Sequence, residues 1–461
     1  MKILLFILFL QTSVSLASSQ EMEYVTICNE KKECRKFSRL VMGTDHLIQG
    51  NWVKEGQPEN TQEEAYAVLD EAVKNGINFF DTSPIYVGGV EHSLGQWRAS
   101  REKSAQADQF YYSPQLNPDR KLYVLSKGGF PFDLYWAKSL EAGVHSPELI
   151  DTLKKKGILA PGAELSLTQS TPLKNVPTGT YASRLFGDYE QIRKRTGVEL
   201  GHTLNNLNGD ITVYLMHRDD GDAVDFQEVP RPKMDINIIL KAIGSHKAEG
   251  KFWMHGWSNW KTDRINKSLQ LVQKNKKLPK PIINSPYFSL FEMSPRTIHA
   301  LAVQVTHKEM MNPNFEKGIK IMPYSPLGGF SILDKPEPKW ENAKAAAKKK
   351  LDSGDAYWKN VFDAIFTKDN EARWNRVVEF TKVFNLKHET QYTVDQMMNA
   401  YVLAHPRTDL LAIGAITKEQ VKRTVKSLEL AKRLTPNFLD YLYAGVKDSE
   451  VEKLLSLSNK K

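Results

Sequence analysis

Four side chains in this sequence could together move a proton at a polarised oxygen atom: Asp81, Tyr86, Lys127 and His217. A phenol donates a proton readily once its pKa, near 10 when unperturbed, is drawn toward neutrality. A nearby ammonium such as that of Lys127 would do this, and Asp81 would hold the lysine. His217 can hydrogen-bond an oxygen atom that gains negative charge. Taken singly, each residue is also compatible with a structural ion pair or with packing.

Short apolar runs place these residues at the ends of predicted strands. Ile77–Phe80 ends at the aspartate, Leu122–Ser126 ends at the lysine and Val213–Met216 ends at the histidine, while the tyrosine follows in a loop. A parallel β/α barrel presents its chemistry at the carboxyl ends of its strands. We therefore expect the four side chains to meet at one end of such a barrel.

The stretch Gly76–Gly95, GINFFDTSPIYVGGVEHSLG, resembles the signature of the aldo-keto reductases, in which a strand-end Asp and a loop Tyr share one site. The strands ending in Lys127 and His217 resemble the other two catalytic signatures of that family and occur in the same order. The resemblance covers about Phe37 to Leu442. It implies a (β/α)8 TIM barrel, catalytic roles for the four residues, and reduction of an aldehyde or ketone or oxidation of an alcohol or sugar.

Two further segments resemble cofactor-binding positions of the family. Gly256–Asn259 (GWSN) resembles its G-x-S-N motif, whose last two residues hydrogen-bond the nicotinamide amide. Tyr324–Gly328 (YSPLG) resembles the segment whose aromatic ring stacks on nicotinamide and whose backbone faces the pyrophosphate. After the sixth predicted strand this chain has Ser where the family usually has Gln. The cofactor positions implied in this way are Ser258, Asn259, Ser285, Tyr324, Ser325, Leu327 and Gly328.

The resemblance is weaker after the last predicted strand. Gly414–Gln420 opens a helix, and helix N-termini favour phosphate. The family commonly has a basic residue where Gly414 and Gln420 stand, so Lys418 or Arg423 is the candidate contact for a 2′-phosphate. NADP(H) is therefore the implied cofactor, with NAD(H), or a loss of cofactor affinity, as alternatives. No Rossmann glycine motif or P-loop competes for this role, and no metal-ligand spacing occurs.

The N-terminus predicts export. Met1-Lys2 precedes the apolar run Ile3–Leu10 and small residues that end at Ala17, which is typical of a Sec-type signal peptide. A buried helix or a membrane anchor is the alternative, although the run is short for a membrane span. The mature protein is accordingly expected in the periplasm or secreted.

The two cysteines of the chain, Cys28 and Cys34, flank a five-residue turn between alternating segments. This pattern predicts an antiparallel hairpin with the cysteines facing each other. In an oxidising compartment they should form a disulfide bond, whereas two thiols or a redox pair are the alternative.

Composition is ordinary for a water-soluble chain of 461 residues, with 41% hydrophobic and 25% charged residues. The formal net charge is +9, but the lysine runs lack the interleaved aromatic residues of a nucleic-acid surface. The sequence thus predicts a small-molecule carbonyl or alcohol substrate, no nucleic-acid partner and no membrane-spanning segment after cleavage. It predicts no particular oligomeric state.

The predicted organisation is a signal peptide (1–17), a β-hairpin (18–36), a barrel (37–445) and a C-terminal tail (446–461). Two insertions interrupt the barrel, at about 130–180 and 330–370, and the aromatic residues of the first favour a specificity lid. A helix is predicted for Pro295–Glu316. Because nicotinamide cofactors are scarce outside the cytosol, an exported ligand-binding or scaffold barrel with a residual site is the competing function.

Overall fold

In a computed structural model of the chain, the described residues are 22–45, 47, 61–84, 86, 90–103, 118–119, 121–129, 188–219, 234–293, 297–298, 302–328, 339–352 and 362–457. The predicted signal peptide (1–17), the insertion at about 130–180 and parts of the insertion at about 330–370 lie outside these residues.

Eight parallel strands form one sheet in the order β11-β8-β7-β6-β5-β4-β3-β12. The outermost two are also joined by backbone hydrogen bonds, because Leu410 N–H donates to the Ile321 carbonyl at 3.2 Å and Ala412 N–H to the Pro323 carbonyl at 2.9 Å. The sheet thus closes on itself, and the prediction of eight parallel strands is confirmed. The strands are β1 Tyr24–Cys28, β2 Cys34–Ser38, β3 Leu40–Gly43, β4 Phe79–Asp81, β5 Tyr123–Gly128, β6 Val213–Met216, β7 Met254–Ser258, β8 Pro281–Ser285, β9 Thr297–Ile298, β10 Ala302–Val303, β11 Lys320–Ile321 and β12 Leu411–Gly414.

Amphipathic helices follow most of the barrel strands and bury their apolar faces against the sheet. The first helix begins after Thr61, whose hydroxyl accepts from Glu64 N–H while Glu64 returns a bond to the Thr61 backbone, a capping box. The helices are α1 Gln62–Lys74, α2 Val90–Glu102, α3 Tyr189–Asn206, α4 Ile236–Ala248, α5 Thr262–Lys274, α6 His307–Met311, α7 Trp340–Asp352, α8 Lys368–His388, α9 Val394–Ala404, α10 Lys418–Val425, α11 Ser427–Ala431, α12 Pro436–Ala444 and α13 Ser449–Leu455.

The hairpin β1–β2 covers the amino-terminal end of the barrel. Its strands pair antiparallel with Cys28 opposite Cys34, and the two cysteines are joined by a disulfide bond. Phe37 is fully buried, and its ring centroid lies 4.8 Å from that of Phe79 and 4.6 Å from that of Tyr123, the first residues of β4 and β5. These aromatic contacts close the end of the barrel opposite the strand ends that carry the predicted site.

The predicted helix over Pro295–Glu316 is wrong. Within the described residues this segment holds the short antiparallel pair β9–β10 and then the five-residue helix α6. Tyr287 N–H donates to the Val303 carbonyl and Val305 N–H to the Tyr287 carbonyl, so the segment extends along the chain that follows β8. This pairing satisfies the backbone in an extended conformation despite the helical spacing of the apolar residues.

The segment predicted as a C-terminal tail includes α13, which packs onto the barrel. Val451 and Leu454 on this helix are fully buried. Among the described residues, no helix combines the length and the apolar character that crossing a membrane requires.

Candidate active site

Three neighbouring strands bring the predicted catalytic residues together. Asp81 is the last residue of β4, Lys127 lies near the end of β5, and His217 directly follows β6. The Lys127 ammonium forms an ion pair with the Asp81 carboxylate and donates to the Tyr86 hydroxyl at 2.6 Å. Tyr86 in turn donates to the Asp81 carboxylate at 3.3 Å. Phenol, ammonium and carboxylate thus form one closed hydrogen-bonded triangle.

His217 lies beside the phenol of this triangle. Its ring centroid is 6.2 Å from that of Tyr86, and the two rings meet edge to face. The imidazole Nδ1 lies 3.3 Å from the Ser83 hydroxyl oxygen. Ser83 was not predicted from the sequence, although a polar residue two positions after a strand-end Asp faces the same side of an extended backbone. In this arrangement the Tyr86 phenol and the His217 imidazole are neighbours, so both can contact the same small group of a substrate.

Burial is the largest influence on the pKa of each residue in this cluster. It raises the pKa of Asp81 and lowers the pKa of Lys127, and the charge of each opposes the shift of the other. Burial, with the neighbouring charges of Arg218 and Lys127, also lowers the pKa of His217 well below its ordinary value. The imidazole is therefore neutral, and its single N–H can donate a hydrogen bond to an oxygen atom.

The pKa of Tyr86 differs from the prediction. Burial and then the negative charges of Asp81 and Asp45 raise it well above 10, whereas the sequence predicted that Lys127 draws it toward neutrality. The first physical reason is burial, which disfavours a charged phenolate, and the second is the Asp81 carboxylate, which contacts both groups and opposes the attraction of the ammonium for a phenolate. Tyr86 is thus a protonated phenol over the whole physiological pH range.

Arg218 is a second residue that sequence analysis missed. It directly follows His217, its side chain is 8% exposed, and its guanidinium donates to the His217 carbonyl at 2.8 Å. Its positive charge opposes the rise in the pKa of both Tyr86 and Tyr324. The signal was its position one residue beyond a strand-end histidine, but an arginine there is ordinarily expected to reach solvent.

The side chains expected near a nicotinamide amide lie next to the catalytic cluster. The Asn259 amide nitrogen donates to the Ser258 hydroxyl at 2.9 Å and to the His217 carbonyl at 3.4 Å. Its amide oxygen accepts from the Tyr324 hydroxyl at 2.6 Å and from Val303 N–H at 3.1 Å. Ser258 donates to the Ser285 carbonyl at 3.1 Å. These amide, hydroxyl and phenol groups suit a planar aromatic amide, so the donor set fits a nicotinamide.

The turn after β11 carries the residues expected near a pyrophosphate. Ser325 and Gly328 both have left-handed φ angles, 56° and 86°, and Gly328 N–H donates to the Ser325 carbonyl at 2.9 Å. A Cβ on Gly328 would lie 2.8 Å from the Phe291 ring, so the position requires glycine in both conformation and space. Leu327 is half-buried and packs against the main core.

The residues expected at the adenine end are only partly placed for binding. Gly414 is exposed with no atom within 4 Å of a Cβ built on it, and Lys418 is exposed at the start of α10. The Gln420 side chain accepts from Ile416 N–H at 2.7 Å and caps its own helix. Arg423 forms an ion pair with Asp395 at 2.6 Å. Lys418 is thus better placed than Arg423 to meet a 2′-phosphate.

Within the described part of the chain, no group of three or more His, Cys, Asp or Glu residues is arranged to hold a metal ion.

Comparison with known proteins agrees with this geometry. A stretch of 67 residues is 42% identical to norsolorinic acid reductase stcV of Emericella nidulans. This match covers 14% of this chain and 17% of that protein. The chain thus aligns with less than a fifth of the length of this relative. The profile of the Aldo/keto reductase family matches residues 39–153 and 195–444, which is well over half of the sequence. The chain belongs to the aldo/keto reductase family.

Proposed function

We propose that this protein catalyses the nicotinamide-dependent reduction of an aldehyde or ketone, or the reverse oxidation of an alcohol or sugar, with Tyr86 as the proton donor and acceptor. The observation that carries the proposal is the closed triangle of Tyr86, Lys127 and Asp81 beside a neutral His217. The Emericella nidulans relative is named as a reductase, which favours the reducing direction.

The chain's own residues supply binding, orientation and the proton. A carbonyl oxygen between Tyr86 and His217 accepts hydrogen bonds from both and becomes polarised. A nicotinamide cofactor would supply the hydride when bound, and the substrate oxygen would then gain negative charge. The Tyr86 phenol delivers its proton to that oxygen, and the resulting phenolate is stabilised by the Lys127 ammonium 2.6 Å away. Asp81 keeps the lysine charged and in place.

NADP(H) is the proposed cofactor and NAD(H) the alternative. Asn259, Ser258 and Tyr324 would hold the nicotinamide end, and Lys418 would meet a 2′-phosphate. Titration of the mature protein with NADPH and with NADH, followed by cofactor fluorescence, measures the preference. We expect Gly414→Lys to tighten NADPH binding and to leave NADH binding nearly unchanged, because only the former carries the extra phosphate.

A carbonyl panel with Tyr86→Phe tests the proposed reaction. We expect cofactor oxidation with at least one aldehyde or ketone, and a loss of about 10²–10⁴ in kcat in the variant, because the ring remains and the proton donor does not. The matched control is Tyr443→Phe, which removes a phenol that bonds Glu292 outside the site. Equal losses in the two variants, or unchanged turnover in Tyr86→Phe, would refute the assigned role.

The alternative is an exported barrel that binds a ligand without turnover. Two observations favour it: Arg423 is held by Asp395, and the Asn259 amide already has hydrogen-bond partners within the chain. Folded, disulfide-bonded protein that binds neither NADPH nor NADH would support this alternative against the reductase.

Export to the periplasm or the medium is part of the proposal. The predicted cleavage after Ala17 is tested by the mass of the purified mature chain. An intact N-terminus on protein recovered from the cytosol would contradict it.

A further inference from the structure

Side chains that follow β7 hold the end of β6 on both sides of His217. The Trp260 indole N–H donates to the Met216 carbonyl at 3.1 Å, directly before the histidine. The Asp219 carboxylate, just beyond the histidine, forms an ion pair with Arg264 at 2.9 Å. Arg264 lies in the first turn of α5. The backbone that carries His217 is thus tied before and after this residue to the same neighbouring segment.

The ion pair has a fixed orientation. The Arg264 Nε donates to one Asp219 carboxylate oxygen at 2.9 Å and Nη2 donates to the other at 3.3 Å. The remaining Nη1 donates to the Met234 carbonyl at 2.7 Å, and the guanidinium carbon lies 5.1 Å from the centroid of the Trp260 ring. The two charged side chains are only 6% and 3% exposed. Such a two-pronged pair, shielded from water, is geometrically specific, and the loss of one partner is costly.

The imidazole of His217 depends on where this backbone lies. The His217 N–H donates to the Gly128 carbonyl at 2.7 Å, and its carbonyl accepts from the Asn259 amide at 3.4 Å. Its ring meets that of Tyr86 edge to face, with 6.2 Å between the centroids. In the proposed reaction both rings contact one substrate oxygen, and a misplacement of about 1 Å in such an arrangement can cost roughly 10² in rate. Accurate placement of the end of β6 therefore matters for turnover.

We propose that Arg264 and Asp219 are positioning residues, whose ion pair fixes the end of β6 and thereby places the His217 imidazole beside the Tyr86 phenol. This inference rests on the proposed oxidoreductase function, because it concerns the site at which that reaction occurs. The pair acts through the backbone of His217. It takes no part in the proton transfer.

Steady-state kinetics of the mature full chain test the proposal, with NADPH and either 4-nitrobenzaldehyde or the best substrate of the carbonyl panel. We expect Arg264→Gln to lower kcat by roughly ten- to a hundredfold. Arg264→Lys keeps the charge but not the planar fork, so it should lose less. The double variant Asp219→Asn/Arg264→Gln should recover part of the loss, because it leaves no buried charge without its partner.

A second background separates positioning from a general loss of structure. If the pair acts through His217, then Arg264→Gln should cause less than about twofold further loss of kcat in a His217→Ala protein. A loss of the same size in both backgrounds would overturn the proposal, because the ion pair would then act independently of the histidine.

Arg98→Gln is the matched control at the opposite end of the same strand. Arg98 is 4% exposed and Arg264 is 5% exposed, and Arg98 donates to the Leu207 carbonyl at 2.6 Å and to Asp210 at 3.3 Å, ahead of β6. The control should lower thermal stability but leave kcat within about threefold. Equal losses of kcat in Arg98→Gln and Arg264→Gln would refute a specific role for the pair at the strand end.

Hydrogen exchange separates this inference from the proposed reaction, since it needs no turnover. The His217 amide should exchange at least about tenfold faster in Arg264→Gln than in the wild type or in Arg98→Gln, because its bond to the Gly128 carbonyl is then less well held. Faster exchange in a protein that reduces no carbonyl compound would support the positioning pair and refute the reductase. Turnover with unchanged kcat and unchanged exchange in Arg264→Gln would support the reductase and refute the pair.

Discussion

Lys127 and Asp81 show how much of the site can be read from individual residues. Both stand at the ends of apolar runs, so their place at one rim of a barrel followed from strand periodicity and parallel connectivity. The protonation state of Tyr86 could not be predicted from strand periodicity and connectivity. It depends on which groups touch the phenol oxygen, and the sequence cannot show that the carboxylate reaches both the lysine and the tyrosine.

The raised pKa of Tyr86 predicts opposite pH profiles for the two directions of the reaction. Reduction needs the protonated phenol, so its kcat should be flat across neutral pH and fall only in alkali, where Lys127, whose pKa burial lowers, also loses its charge. Oxidation needs the phenolate and should rise with pH. Steady-state profiles in both directions measure this. Reduction that declines between about pH 6 and 8 would contradict the assignment.

Glu91 predicts a pH dependence of stability. Burial is the main cause that raises the pKa of this carboxyl from 4.5 to about 7, while Ser126 donates to it at 2.6 Å. Because the folded state holds the proton more tightly, its contribution is complete below pH 4.5 and is lost as pH rises through about 7. Glu91→Gln should therefore reduce the fall in unfolding free energy between these pH values by up to roughly 3 kcal/mol.

Denaturant unfolding at several pH values measures this slope. Glu316, whose pKa burial also raises to about 7, adds a slope of the same sign in both proteins, so the comparison is between variant and wild type. Glu190→Gln, a change at an exposed acid on α3, is the control. An unchanged slope in Glu91→Gln would show that the buried carboxyl does not carry the effect.

The secondary-structure elements were predicted best where local pattern and tertiary pairing agree. The apolar spacing of the sequence predicts helices over Thr61–Lys74 and about Val90–Arg101. Helices α1 and α2 begin and end within one residue of these bounds, because their apolar spacing and first-turn acids agree with the packing. The helix prediction for the segment after β8 was wrong because the pairing partner of this segment, the backbone around Tyr287, is distant in sequence. Arg218 was missed for a related reason, since the direction of a long side chain is set by its neighbours in space.

The contact between α2 and α3 predicts opposite effects for two glycine substitutions. A Cβ on Gly95 would lie 2.0 Å from the Asn206 carbonyl oxygen, so Gly95→Ala forces the helices apart and should cost about 1–3 kcal/mol. Gly201, on the exposed face of α3, has nothing within 4 Å, and Gly201→Ala should stabilise by about 0.5–1 kcal/mol. Chemical denaturation measures both. A neutral Gly95→Ala would contradict the close approach.

At the scale of the whole molecule, the two ends of the barrel serve different purposes. One end carries the polar cluster, and the other is closed by the β1–β2 hairpin and the buried Phe37. The sequence predicted the hairpin from its cysteine spacing, but the docking of Phe37 onto Phe79 and Tyr123 involves residues too far apart in sequence to be foreseen.

The disulfide in this hairpin should contribute to stability and not to chemistry. Replacing Cys28 and Cys34 by serine should lower the unfolding free energy by about 2 kcal/mol, since the closed loop is short, and should leave kcat within about twofold. Reduced wild type should match the double variant in a thermal melt. A large loss of turnover at unchanged stability would instead indicate a link between the hairpin and the site.

The extended segment that replaced the predicted helix has a practical consequence for experiments. Its Val303 amide donates to the Asn259 side-chain oxygen, the same atom that accepts from Tyr324. A nicotinamide that engages Asn259 must alter this shared acceptor, so hydrogen–deuterium exchange at Val303 should change on cofactor binding. Exchange at this one peptide N–H at the edge of the barrel should therefore report whether cofactor is bound. The measurement needs no turnover and no known substrate.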